Sequence, residues 1–120
     1  MKYSSSFDYD MKIGQEAEDW AKKLFNGEYK VEVKSDYIAH RTGNVFIEFS
    51  SRGKPSGIST TEADYWLYRI DKINCCALWD VNHLKEKLRA YYKSNMYIKR
   101  GGDNNTSLGF LIPISELFKR

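Results

Sequence analysis

Two carboxylates, Asp36 and Glu48, have the type and spacing to do chemistry together. Phosphodiester hydrolysis needs a divalent metal that binds a phosphate oxygen and activates water. Mg²⁺ prefers oxygen ligands and keeps several of its waters, so a few carboxylates suffice to hold it. Arg41-Thr42-Gly43 reads as a hairpin loop closed by a glycine in the left-handed region. His40 then faces Asn44, and Asp36 falls directly across from Glu48. Cross-strand partners on one face have Cβ atoms about 5 Å apart. Carboxylates that close repel unless a cation sits between them. Glu48 also lies between Ile47 and Phe49, in an apolar run where a carboxylate without a partner is costly. Taken singly, Asp36 also reads as a turn former after Ser35, and Glu48 as a solvent-facing strand residue.

A second stretch, residues 51–61, combines Arg52 and Lys54 with Gly53, Gly57 and the hydroxyls of Ser56, Ser59 and Thr60. Ser59-Thr60-Thr61-Glu62 has the pattern of a capping box at a helix start. Free N–H groups at such a start donate hydrogen bonds to phosphate, and glycines let a DNA backbone approach closely. Arg52, Lys54, Ser56, Ser59 and Thr60 are therefore the expected DNA contacts. A turn followed by an N-cap explains Gly57 and Ser59 equally well, but not the paired cations.

The elements that must position these groups follow from periodicity. Residues 1–10 read as a loose arm. Ile13, Ala17, Trp20, Ala21, Leu24 and Phe25 form one apolar helix face over 12–26, and Gly27 follows as a C-cap. Residues 29–34 alternate apolar and polar, as a half-buried strand does. Residues 36–40 and 44–51 are two further extended runs. A helix is expected over 62–72 through Ala63, Trp66, Leu67 and Ile70, then a strand over 74–80 and a helix over 81–94. Residues 97–99 and 108–112 read as strands, 101–107 as a polar loop that could enter a DNA groove, and 113–118 as a helical turn. The sum is one α/β domain over 1–120 with a mixed sheet.

This order, with Asp36 at the second strand and Glu48 inside the third, resembles the PD-(D/E)xK nuclease superfamily. Gly14-Gln15-Glu16-Ala17-Glu18 is similar to the G-x-x-A-E signature on the opening helix of archaeal-type Holliday-junction resolvases. The basic stretch at 51–61 is similar to one in small phage-encoded endonucleases. The resemblance covers residues 12–80. It implies an αβββαβ restriction-endonuclease-like core, with a mixed sheet flanked by helices. It implies a Mg²⁺ or Mn²⁺ ion on Glu18, Asp36 and Glu48, and DNA, branched or not, as substrate. Ser50 departs from the pattern, because it stands where the family's ExK lysine orients the attacking water and offsets charge on the phosphate. Serine cannot do this electrostatically. Arg52, Lys54 and Lys34 are the replacements within reach, and some family members do relocate this residue. Glu32, Asp64 and Tyr65 rank below these.

Composition neither adds to this reading nor excludes it. The chain has 120 residues, 42% hydrophobic and 15% aromatic, with net charge +3. A mildly basic balance permits a polyanionic partner without demanding one. Cys75 and Cys76 are adjacent and are the only cysteines. They read as small strand residues of a reducing compartment rather than a disulfide framework. His40 and His83 have no partner pattern and read as surface residues. No apolar run approaches the roughly 18 residues of a membrane span, and the polar N-terminus lacks a signal-peptide core. The expectation is a cytoplasmic, Mg²⁺-dependent DNA endonuclease, of the host cytoplasm if phage-encoded. Resolution of Holliday junctions, a step of DNA recombination, takes two symmetric cuts and so implies a homodimer. The alternative is a catalytically inactive module of the same fold that binds DNA or protein.

Overall fold

The computed structural model describes the backbone of residues 2–119 and the side chains of residues 7–119. The chain divides into two compact units, residues 1–30 and 31–120. The first is a helix, α1 (Lys2–Phe25). It extends further toward the N-terminus than its apolar face does. Residues 2–10 are therefore helical rather than the expected loose arm, and no glycine or proline interrupts them. Gly27 follows at φ 87°, the left-handed conformation expected of a residue closing a helix.

The second unit is α/β and holds two sheets. In the first, β1 (Val31–Asp36) runs parallel to β4 (Tyr65–Ile70), which pairs antiparallel with β5 (Cys75–Asp80). This is the expected mixed sheet. The second is antiparallel throughout, in the order β3 (Lys54–Pro55), β2 (Asn44–Ser51), β7 (Ser107–Pro113) and β6 (Ile98–Gly101). The helix α3 (Val81–Lys93) lies in the chain between β5 and β6. Asp80 caps it by accepting from the His83 N–H at 3.1 Å. Its buried residues, Val81, Leu84 and Leu88, recur at helical spacing and join the core. That core also contains Val45 and Ile47 from β2, Trp66, Tyr68 and Ile70 from β4, and Phe110 and Ile112 from β7. Among the described residues, no helix is long and apolar enough to cross a membrane.

Two further expectations are overturned. The hairpin across Arg41-Thr42-Gly43 does not form. Instead, a single helical turn, α2 (Ala39–Thr42), follows β1, and Gly43 closes it at φ 71° with its N–H bonded to the Ala39 carbonyl. The cause is Asp36, whose Oδ1 accepts from the N–H groups of Ile38 at 3.0 Å and Ala39 at 2.7 Å. A side chain that satisfies two backbone donors turns the chain and ends the strand. Hence β1 and β2 belong to different sheets, and the residue paired with Glu48 is Gly109, not Asp36.

The helix expected over 62–72 is the strand β4. Its apolar residues fit both periods, but only Trp66, Tyr68 and Ile70, at alternate positions, are buried. Pairing with strands on both sides and a run of aromatic residues override the capping-box signal.

Candidate functional site

Asp36 and Glu48 reach one cavity although their strands do not pair. The cavity is about 240 Å³, lined by Lys34, Ser35, Asp36, Phe46, Glu48, Gly57, Trp66 and Tyr68. Lys34 and Asp36 are two apart on β1 and so project from the same face. Directly beside them in the sheet are Tyr68 and Ile70 of β4.

Each carboxylate is held by a different device. Asp36 Oδ1 is fixed by the two N–H groups of the following turn, and Oδ2 accepts from the Tyr68 hydroxyl. The same phenol oxygen accepts from the Phe46 N–H at 3.4 Å, so one side chain ties β4 to β1 and β2. Burial, reinforced by the bond to Asp36, raises the Tyr68 phenol well above its ordinary range. The hydroxyl therefore stays protonated and remains a donor.

Glu48 Oε2 accepts from the Ser56 hydroxyl at 2.9 Å. Its other oxygen has no partner among the described residues, and neither carboxylate is ion-paired there. Gly57 lies against the backbone of Glu48. A Cβ at that position would come within 2.3 Å of the Glu48 carbonyl oxygen, and Gly57 has φ +55°. Only glycine lets this turn lie so close.

Two further features bear on what the cavity would accept. The Lys34 ammonium is 4.0 Å from Glu32 and 5.6 Å from the Trp66 ring centre. Trp66 is buried, and its indole N–H has no acceptor among the described residues.

Within the second unit, the other sequence candidates do not line this cavity. Ser50 lines a second, larger cleft and not this cavity. Arg52 and Gly53 form the tip of the β2–β3 hairpin, both with positive φ, as a type I′ turn requires. Arg52 and Lys54 are exposed there. The Ser56 and Ser59 hydroxyls fasten the turn to β2, through Glu48 and the Phe49 carbonyl. Thr60 is exposed and donates to Gly57. Glu18 is exposed on α1, in the first unit. Glu32 accepts from Thr61 at 3.3 Å. The backbone carbonyl of Asp64 accepts from Val81 at the start of α3. Cys75 and Cys76 are both free thiols and exposed.

Tyr68 and Trp66 are the site residues that sequence reasoning missed, while Gly57, expected to let a DNA backbone approach, instead lies against Glu48. The alternation of Trp66, Tyr68 and Ile70 was the available signal for both.

As a metal centre, the arrangement is sparse. Among the described residues, no cluster of three or more His, Cys, Asp or Glu could hold an ion. A pair of carboxylates in one small cavity does fit the way Mg²⁺ is commonly held, with substrate phosphate and water completing its shell. No family model, curated protein or solved structure matches the chain.

Proposed function

We propose that the protein is a metal-dependent DNA endonuclease of the PD-(D/E)xK type. The observation that carries this reading is the convergence of Asp36, Glu48 and Lys34 on one cavity from two different sheets. Asp36 and Glu48 would hold the ion, Mg²⁺ or Mn²⁺. That ion, when bound, supplies Lewis-acid activation of the scissile phosphate and of water. Ser56 and Tyr68 orient the two carboxylates. Glu48 keeps one oxygen free of protein partners among the described residues, as a ligand oxygen must be.

Lys34 is the cation that replaces the absent ExK lysine. It shares the cavity with both carboxylates, whereas Arg52 and Lys54 lie on the hairpin outside it. An ammonium there offsets the charge that builds on phosphorus. Arg52 and Lys54 remain placed to contact the DNA backbone. The substrate is branched DNA such as a Holliday junction. Two symmetric cuts of a junction require a two-fold homodimer. Exposed free thiols at Cys75 and Cys76 suit the reducing cytoplasm.

Ser50 favours a second reading, a catalytically inactive module of the same fold that binds DNA. Metal binding separates the two. Titration calorimetry with Mn²⁺ should show one bound ion per chain, with affinity lost in Asp36→Asn and in Glu48→Gln while both variants stay folded by circular dichroism. Binding unchanged in both variants would remove the proposed site.

A further inference from the structure

The larger cleft shares no lining residue with the carboxylate cavity. Glu48 and Gly57 wall the cavity, and the residues next along the chain, Phe49 and Ile58, wall the cleft. Its volume is about 690 Å³, within the range of small-ligand sites.

The cleft has an aromatic wall. Phe49 packs on Phe110 with ring centres 5.0 Å apart, and edge-on to Tyr92 at 5.6 Å. Tyr92 is 58% exposed, too open to be a core residue. It also has a cationic side. Lys85 and Arg89 lie one turn apart on α3, both line the cleft, and neither has an ion-pair partner among the described residues. An accessible aromatic surface beside two unneutralised cations complements a flat ring that carries negative charge.

We propose that this cleft holds an unpaired nucleotide of single-stranded DNA, with its base against Tyr92 and Phe49 and its phosphate at Lys85 and Arg89. A base inside a duplex is stacked on both faces and cannot lie on Tyr92, whereas an unpaired base can. The inference rests on the DNA reading of the neighbouring cavity and sharpens it. The substrate becomes DNA that carries an unpaired nucleotide, as at a branch point or flap.

The test is binding alone, with the full chain in EDTA, so that cleavage plays no part. Fluorescence anisotropy would follow a labelled oligodeoxythymidylate. Unlabelled duplex and oligouridylate of the same length would compete. Base–aromatic stacking is worth about 1–3 kcal/mol per base, so Tyr92→Ala should weaken binding roughly tenfold or more. Tyr92→Phe should restore it, a rescue that a merely destabilised protein would not give. The double variant Lys85→Ala/Arg89→Ala should bind more weakly and with a shallower dependence on salt.

The proposal is overturned by an undetectable wild-type complex, by wild-type affinity in both Tyr92→Ala and the double variant, or by a duplex that competes as well as the single strand. Stronger competition by oligouridylate would reassign the cleft to RNA. The nuclease reading fails separately. If the oligonucleotide binds as predicted and nothing is cut when metal is added, the cleft stands and the catalytic assignment falls.

Discussion

Tyr68 does the most to define the carboxylate site, and it is not among the residues that the sequence marks for chemistry. Its hydroxyl donates to Asp36 and accepts from the Phe46 N–H, so removing it leaves two groups of the site without their partner. Tyr68→Phe should cost about 1–3 kcal/mol, the usual penalty for a stranded polar group. The loss should depend on pH. Burial first, and then the bond to Asp36, raise the folded-state phenol above its ordinary value of 10.0. A raised acid stabilises the fold below the unfolded value and loses that contribution as pH climbs toward the folded one. The stability gap between wild type and Tyr68→Phe should therefore be constant below pH 10 and narrow above it. Urea unfolding at neutral pH and at alkaline pH would measure this, and a gap that widened instead would show the hydroxyl is not held as described. The sequence could not place Tyr68, because the same apolar residues fit a helix through Trp66, Leu67 and Ile70 and a strand through Trp66, Tyr68 and Ile70. Pairing with β1 decides between them, and that contact is long-range.

The elements show how far local signals reach. Strand β2, strand β5 and helix α3 were legible because period and caps agree there. The left-handed glycine at 43 was legible too, but what it closes was not. Asp36 competes for the backbone donors of Ile38 and Ala39, and the chain makes a helical turn where a hairpin was expected. The site thus assembles from a parallel β1–β4 pair and from β2 in the other sheet, and the turn at Ser56–Gly57 secures Glu48. That turn tolerates no side chain at position 57, given φ +55° and a Cβ that would sit 2.3 Å from the Glu48 carbonyl oxygen. Gly57→Ala should destabilise the protein by about 1–3 kcal/mol and displace Glu48. Denaturant unfolding gives the first quantity, and Mn²⁺ affinity of the folded variant gives the second. A neutral substitution on both readouts would mean the turn can retreat without disturbing the site.

For the molecule as a whole, net charge identifies nothing; the placement of charge is more informative. A balance of +3 over 120 residues is ordinary. Lys34, Lys85 and Arg89 nevertheless line two cavities that share one stretch of β2 and the turn after it. The carboxylate pair was legible as residues, while its geometry came from sheets that the sequence reading had merged into one. The most direct test is cleavage of a labelled four-way junction and a matching linear duplex, each incubated with Mg²⁺, Mn²⁺ or EDTA, by wild type, Glu48→Gln and Lys34→Ala. Metal-dependent, paired cuts in the junction, abolished in Glu48→Gln and reduced at least about 100-fold in Lys34→Ala, are the predicted result. Intact DNA binding with no cleavage of either substrate would contradict the account and leave a binding module in which Ser50 marks the lost catalytic lysine.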